Sequence, residues 1–384
     1  MPSSPISIVV LGQKDHGKST LLGRLIFETK SISRDKVKES RLVAKKSGYN
    51  FEWAHLLDSF RYERTKGMTL DVTRVTAKMG LHLYELIDVP GHRELIKNMI
   101  SGASEAKCAI IVIAADEGTK KQTVEHARIA HFLGIDTVLV VINKCDLIHY
   151  SVIKYKQLKE AAENILKNIG YLKIKTVPLS ATHGRNLLTR DPLFRKFKAP
   201  AFAHAFKELF RMSSQKSEAR QSENFLMVIQ DYHDGIAIGQ VKQGLVKIGD
   251  AVLITNTPKQ YRVKKIWLHN RAVNSARGGE NISLMLNPLY SKSKRGDIIA
   301  EKKLALSRNL DAICVFFKNI SKSPRLFIQA NFKQTSILRI KAASYSLYIP
   351  SDTTIALDKP IAITDNFIIR NESEIIGIGK IHQV

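Results

Sequence analysis

The sequence predicts an α/β domain with a mostly parallel, doubly wound sheet, followed by two small β-barrel domains. Over about the first 190 residues, short apolar runs alternate with stretches of helical period, which is typical of parallel strands covered by helices on both faces. After about residue 223, short β-rich runs are separated by glycine turns, which is typical of small barrels.

Five apolar runs in the first region are predicted strands, and two longer stretches between them are predicted helices. The helices are predicted over Lys121–Phe132 and Val152–Ile169, where apolar residues recur with helical spacing. The predicted strands cover Ile6–Leu11, 81–87, 109–114, 138–142 and 175–179.

The domain limits follow from these changes of pattern. We predict the α/β domain over 1–190 and a closing helix with a polar linker over 191–222. The barrels are predicted over 223–305 and 306–384.

The composition is strongly basic. Sixty Lys and Arg against 35 Asp and Glu give a formal net charge of +25. Such an excess is either a solubilising surface or the electrostatic footprint of a polyanionic partner, and we favour RNA as that partner. Three cysteines far apart, without a CxxC pair, argue against a disulfide scaffold or a zinc ribbon. With no apolar run of transmembrane length, the sequence predicts a cytoplasmic protein without a membrane partner.

A G-x-x-x-x-G-K-S pattern follows the first predicted strand and opens an amphipathic helix. That context predicts a phosphate-binding loop (P-loop), in which backbone N–H groups and the helix N-terminus favour phosphate. The lysine of such a loop reaches the β- and γ-phosphates, and its serine hydroxyl binds Mg²⁺. The predicted nucleotide contacts here are Gly12, His16, Gly17, Lys18, Ser19 and Thr20.

The sequence Asp-Val-Pro-Gly-His follows the predicted strand 81–87. Asp88 is predicted to hold Mg²⁺ through water, and Gly91 lets a backbone N–H approach the γ-phosphate. In isolation this pattern is an ordinary turn more often than a nucleotide contact.

Two further motifs point to the base. Asn143, Lys144 and Asp146 close the strand 138–142, and a carboxylate there accepts from both N1–H and the exocyclic amine of guanine. Adenine lacks that amine, so the carboxylate would be left unpaired against it. Ser180 and Ala181 follow the last strand of the region, where their backbone reaches the guanine carbonyl.

Four motifs in this order, each at the carboxyl end of a parallel strand, predict one site. The carboxyl edge of an open α/β sheet is where such folds bind ligands. We therefore expect the chain to bind GTP.

The motifs together with three longer stretches resemble the translational GTPase superfamily. The stretches are ERTKGMTLDV, DVPGHRELIKNMISGASEA and QTVEHARIAHFLGI. The branch holds elongation factor Tu, elongation factor 1-alpha and the GTPase subunit of sulfate adenylyltransferase. The resemblance implies a P-loop GTPase domain followed by two barrels, and hydrolysis of GTP with Mg²⁺. It further implies that Thr69 binds Mg²⁺, that His92 positions the attacking water, and that Asp15 supports the phosphate loop.

The chain departs from that family at two places. Lys14 stands where members commonly carry a valine, which forms an apolar gate beside the catalytic histidine. The last region, 306–384, is short for the family's third domain, so we expect a shortened barrel.

Three functions remain open from the sequence. The favoured one is a translation-type switch whose GTP state acts on tRNA or the ribosome, supported by the basic charge. The second is the GTPase subunit that drives sulfate activation with a separate adenylyltransferase catalytic subunit. The third is a nucleotide-gated binding module with negligible turnover, which Lys14 keeps open.

Overall fold

The computed structural model describes the chain in segments. They are 6–46, 48, 51–57, 73–79, 82–88, 106, 108–214, 224–255, 257, 259–268, 271–288, 295–304, 306–320, 325–330, 333–362 and 366–381. The chain divides into two compact units, Met1–Ser214 and Gln215–Val384.

The first unit is built on a six-stranded sheet with the order β2-β3-β1-β4-β5-β6. Five neighbouring strands run parallel, and β2 pairs antiparallel with β3 at one edge. The strands are β1 (Ile6–Leu11), β2 (Thr73–Met79), β3 (His82–Asp88), β4 (Cys108–Ala114), β5 (Thr137–Asn143) and β6 (Lys173–Pro178).

Helices lie between these strands and after the last of them, and all of the described α-helices except the second pack against the sheet. In the first helix, the core-facing residues Leu21, Leu22, Leu25 and Ile26 recur with helical spacing and are buried. The described α-helices are α1 (Lys18–Glu28), α2 (Arg34–Lys46), α3 (Lys121–Phe132), α4 (Val152–Ile169) and α5 (Phe202–Ser214), with a 3₁₀-helix over Pro192–Phe197.

Helix α4 shows how local sequence sets its ends. The Ser151 hydroxyl accepts from the Lys154 N–H and caps the first turn. Gly170 follows the last turn with φ 114°, the left-handed conformation that a glycine adopts without steric cost.

The predicted α/β class is confirmed, with two differences. The predicted strands after the first differ from the observed ones by one or two residues at their ends. Strand β2 was absent from the prediction, because it lies at the sheet edge and buries only alternate residues such as Val75 and Ala77. Strands β4 and β5, in the middle of the sheet, are buried throughout.

The closing helix belongs to the core of the first unit. Phe202 and Phe206 of α5 are buried, and the Phe206 ring packs edge-on against Tyr84 of β3 at 4.8 Å. The aromatic side chains of this stretch that the structure describes are therefore core residues. The predicted domain limits at 190, 222 and 305 stay predictions.

The second unit begins with a barrel of six strands. Their order is β10-β15-β7-β8-β14-β11, and pairing of β10 with β11 closes the ring. The strands are β7 (Leu226–His233), β8 (Ile236–Gln243), β10 (Ala251–Ile254), β11 (Gln260–Leu268), β14 (Asn281–Asn287) and β15 (Ile298–Ala300). Short strands β9 (Leu245–Lys247) and β13 (Ser275–Arg277) pair with each other, and β12 (Arg271–Val273) extends the sheet beside β11.

A second barrel follows, closed in the order β16-β19-β18-β17-β20-β21. Its strands are β16 (Ser307–Phe316), β17 (Phe327–Ala330), β18 (Lys333–Ala342), β19 (Pro350–Ile361), β20 (Asn366–Arg370) and β21 (Ile375–Ile381). The Phe367 ring packs in the interior directly against the backbone of Gly379. A side chain is excluded at Gly379, because a Cβ there would lie 2.1 Å from the ring. The fold class is thus an α/β P-loop domain followed by two barrels, as predicted.

The two barrels contact each other within the second unit. Leu226, Val228 and Ile298 of the first barrel share a small apolar cluster with Ala362. Beside it, the Lys333 ammonium lies 2.6 Å from the carboxylate of Asp297, whose side chain is 6% exposed. Among the described helices, none combines the length and apolar character needed to cross a bilayer.

Candidate nucleotide-binding site

The loop between β1 and α1 has the backbone of a phosphate cradle. Gly12, Asp15 and Gly17 have φ angles of 143°, 64° and 87°. At Gly12 a Cβ would lie 2.4 Å from the carbonyl oxygen of Val112 in β4, so a side chain is excluded there. Left-handed and mirror conformations turn successive N–H groups toward one side, as anion binding requires.

The ammonium of Lys18 sits inside the curve of this loop. Its Nζ donates to the carbonyl oxygens of Gly12 at 3.0 Å and Gln13 at 2.9 Å. Burial lowers the pKa of Lys18, while the carboxylates of Asp88 and Asp15 act in the opposite direction. The hydrogen bonds to the loop thus hold the Lys18 ammonium at the place where the motif predicts the phosphates.

His16 supports the loop from beneath. Its side chain is fully buried, and Nδ1 lies 3.3 Å from the Val112 carbonyl oxygen, which it can only approach as a donor. Burial lowers the pKa of His16, and the Glu117 carboxylate 3.8 Å from Nε2 only partly opposes that shift. A neutral imidazole below the loop is therefore the expected form at neutral pH.

Two oxygen-bearing side chains lie together where the end of β3 meets the start of α1. The Ser19 hydroxyl donates to the Asp88 carboxylate at 3.3 Å, and Asp88 is 2% exposed at the end of β3. A hydroxyl beside a buried carboxylate fits Mg²⁺, which prefers oxygen ligands and retains several waters. Thr20 follows on the same helix and is partly exposed.

Asn143 connects the phosphate loop to the loop after β6. Its amide Nδ2 donates to the His16 carbonyl oxygen at 3.0 Å, and its Oδ1 accepts from the Ala181 N–H at 3.0 Å. Asn143 is 2% exposed, so both polar ends are satisfied inside the protein. The asparagine therefore acts as a brace between two loops of the site.

Asp146 lies at the edge of the same site and is accessible. Its carboxylate is 24% exposed and lies 4.0 Å from His183 Nδ1, which in turn is 2.9 Å from the Ser180 hydroxyl. Lys144 precedes it with a left-handed φ of 57°. The turn between them buries Cys145, and burial raises the pKa of that thiol to about 12, which makes it unreactive.

The structure thus brings together most of the predicted site residues at the carboxyl edge of the sheet. The loop residues 12–20, Asp88, Asn143, Asp146 and the loop beginning at Ser180 all lie there. Thr69, Gly91 and His92 lie outside the described residues.

Comparison with known families decides the assignment. Residues 4–233, more than half of the chain, match the family model of the elongation factor Tu GTP-binding domain. The chain belongs to this family. It is a GTP-hydrolysing translational GTPase of the branch that holds elongation factor Tu and elongation factor 1-alpha.

Its relatives include elongation factor 1-alpha of two Thermococcus species. Elongation factor 1-alpha of Thermococcus kodakarensis is 32% identical over 305 residues, which are 76% of this GTPase and 70% of that protein. The same factor of Thermococcus onnurineus is 33% identical over 306 residues, with the same coverage.

Solved structures agree on the fold. The GTPase-like domain of S. cerevisiae Ski7, bound to GTP, has a TM-score of 0.67 and 16% identity, covering 99% of this chain and 97% of that one. Bacterial selenocysteine-specific elongation factor EF-Sec has a TM-score of 0.57 and 22% identity, over 99% of this chain and 58% of that one. At these identities the likeness shows the fold alone.

Three residues of the site were not found by reading the GTPase sequence. Arg24, Trp53 and His183 contact the loop 180–184 or the side chain of Asp146. Only His183 carried a signal, because it lies three residues after Ser180 and within reach of it. Arg24 and Trp53 come from parts of the chain more than 120 residues away.

Proposed function

We propose that this GTPase acts in translation, and that its GTP-bound state binds tRNA or the ribosome in the cytoplasm. The observation that carries the proposal is the likeness to elongation factor 1-alpha over most of the chain. The net charge of +25 supports a partner rich in phosphate.

The first barrel offers a basic surface for such a partner. Along β11 Tyr261, Val263 and Ile266 are buried, so Arg262, Lys264 and Lys265 face outward and are exposed. Arg271 on the neighbouring β12 is exposed as well. We call Arg262, Lys264, Lys265 and Arg271 the basic ribbon; none of them has an acidic partner among the described salt bridges.

At the nucleotide site we propose binding of GTP together with Mg²⁺. Lys18 and the phosphate loop hold the phosphates, Asp146 binds the guanine edge, and the loop at Ser180 and Ala181 reaches the guanine carbonyl. Ser19 and Thr69 would hold Mg²⁺, with Asp88 acting through water, and the bound ion would supply neutralisation of the phosphate charge.

Hydrolysis then follows by attack of water on the γ-phosphate, which breaks the bond from the γ-phosphorus to the oxygen shared with the β-phosphate and releases GDP and inorganic phosphate, to which the proton of the water passes. His92 orients that water, and Lys18 stabilises the charge that develops on the phosphate oxygens. Ordering of the residues near Thr69 and Gly91 by the γ-phosphate defines the active state, and loss of that phosphate after hydrolysis ends it.

The proposal is tested by capture from host lysate, with the GTPase loaded either with a non-hydrolysable GTP analogue or with GDP. We expect enrichment of tRNA or ribosomes with the analogue alone. Capture of an adenylyltransferase catalytic subunit without RNA would overturn the translational proposal and favour sulfate activation.

A pair of matched variants locates the RNA-binding surface. Replacing Lys264 and Lys265 with glutamate reverses two charges of the basic ribbon, and replacing Lys154 and Lys156 reverses two exposed charges on α4. We expect the first pair alone to weaken tRNA or ribosome binding. The slope of log binding constant against log salt concentration should also be shallower for this first variant, by about one unit for each lysine that pairs with an RNA phosphate in the wild type. Equal binding by both variants would exclude the ribbon.

Lys14 provides a test of turnover. The residue is exposed in the phosphate loop, so it adds a cation near the phosphates where relatives carry the apolar gate. We expect Lys14→Val to hydrolyse GTP about 3- to 10-fold more slowly in single-turnover measurements, because it removes a cation near the negative charge that develops on the phosphates. Each tenfold change in rate corresponds to about 1.4 kcal/mol of barrier. Lys14→Gln separates the two causes, because it removes the charge without restoring an apolar gate. Identical rates would show that Lys14 has no part in turnover, and negligible rates throughout would favour a binding module.

A further inference from the structure

The loop that follows β6 is held from outside by two side chains that no motif includes. The carbonyl oxygen of Thr182 accepts from Trp53 Nε1 at 3.2 Å and from Arg24 Nη1 at 3.3 Å. Thr182 follows Ala181 directly, and the Ala181 N–H is fixed by Asn143 at 3.0 Å. Adjacent residues of one loop are thus anchored from two directions.

The Arg24 guanidinium is placed with little freedom. Its Nε and Nη2 donate to Glu28 Oε1 at 2.8 Å and 2.6 Å, and its Cζ lies 4.5 Å from the centroid of the Trp53 ring. Gly184 makes room for it, because a Cβ there would lie 2.4 Å from Nη2. The arginine joins α1, Trp53 and the loop in one contact set, and planar guanidinium groups suit such stacked, multiply bonded positions.

Trp53 is held in place by contacts of both its backbone and its ring. A Cβ at Gly23 of α1 would lie 1.9 Å from the Trp53 carbonyl oxygen, so the chain can approach the helix only over a glycine. The rings of Phe27 and Phe51 pack on Trp53 at 4.8 Å and 5.3 Å. The indole N–H therefore points at Thr182 from a preformed aromatic cluster.

We propose that Arg24 and Trp53 are positioning residues of the guanine site, which hold the loop 180–184 against the base and thereby slow the release of nucleotide. The inference rests on binding of guanine nucleotide at this site and is independent of any RNA partner. We call the two side chains and the Thr182 carbonyl the loop latch.

The test is the release rate of GDP, measured with a fluorescent derivative, for the full chain. Trp53→Phe keeps an aromatic ring for Phe27 and Phe51 and removes the indole N–H donor, and Arg24→Gln removes the charge and the stacked guanidinium. Trp267→Phe in β11 is the matched control, since it alters the chain's other tryptophan in the second unit. We expect release to be about 3- to 10-fold faster in the two latch variants and unchanged in the control.

A second nucleotide separates positioning from general loss of stability. The nucleotide of 2-aminopurine lacks the guanine carbonyl that the loop 180–184 reaches, so it gains nothing from the latch. It also lacks the N1–H from which Asp146 accepts, but that loss is the same in the wild type and in both latch variants. We expect the ratio of its release rate to that of GDP to fall about 3- to 10-fold in both latch variants. An unchanged ratio, with both nucleotides released equally faster, would overturn the proposal. A wild-type chain that does not retain GDP would overturn the site assignment itself.

Discussion

Asp146→Asn is expected to lower the affinity for GTP at least about 100-fold. The carboxylate lies in the turn after β5, three residues beyond its last residue, is 24% exposed, and can accept from two donors on the guanine edge. An asparagine presents one acceptor and one donor, and its NH₂ faces the exocyclic amine of guanine. Sites built on paired hydrogen bonds discriminate by about 10⁴ or more when a partner is removed. Equilibrium titration with a fluorescent GTP derivative measures the change.

The same variant carries its own positive control. Xanthine bears an oxygen where guanine bears the amine, so the asparagine amide can donate to it. We expect Asp146→Asn to bind xanthosine triphosphate more tightly than the wild type does. Unchanged affinity for GTP would refute the assignment of Asp146 to the base.

Asn143→Ala is expected to lose most of its GDP affinity and to unfold at lower temperature. The change leaves the His16 carbonyl and the Ala181 N–H without the buried partner that each has at 3.0 Å. An unsatisfied buried polar group costs about 1–3 kcal/mol, so two of them remove a large part of the stability of a domain. The relevant transition in a thermal scan is the one that GDP shifts upward.

Asn186→Ala is a matched control for this variant. Asn186 is also buried in the first unit, and its amide donates to the Pro178 and Pro200 carbonyl oxygens at 2.7 Å and 3.2 Å. It touches neither the phosphate loop nor Ala181 through those bonds. We expect similar loss of thermal stability but a smaller loss of GDP affinity. Equal losses of affinity would mean that Asn143 acts only by stabilising the fold.

The sequence predicts those parts of the site that are formed by residues close together in the chain. Gly12 and Gly17 must adopt backbone conformations that only glycine favours, so the pattern alone specifies the phosphate loop. The parallel strands can be predicted equally well, since β4 and β5 are buried throughout and their sequences are almost entirely apolar. The identity of the fold follows from these local signals.

What the sequence does not predict depends on contacts between distant residues. The bond from Asn143 to His16 spans 127 positions and that from Trp53 to Thr182 spans 129. Periodicity shows which face of an element is buried but not which carbonyl a side chain will reach there. Asn143 stays a predicted nucleotide contact, and the structure adds bonds from its amide to the His16 carbonyl oxygen and from the Ala181 N–H to its Oδ1, which the sequence did not predict.

Closure of the second barrel has a consequence for how partners are recognised. With β21 paired to β16, the six described strands form a ring in which each has a neighbour on both sides. A peptide cannot add to such a ring as an extra strand, because strand addition requires an unpaired row of backbone N–H and C=O groups. A partner of this barrel must therefore contact its surface side chains. Substitution of those side chains can change which partner binds without altering the barrel itself.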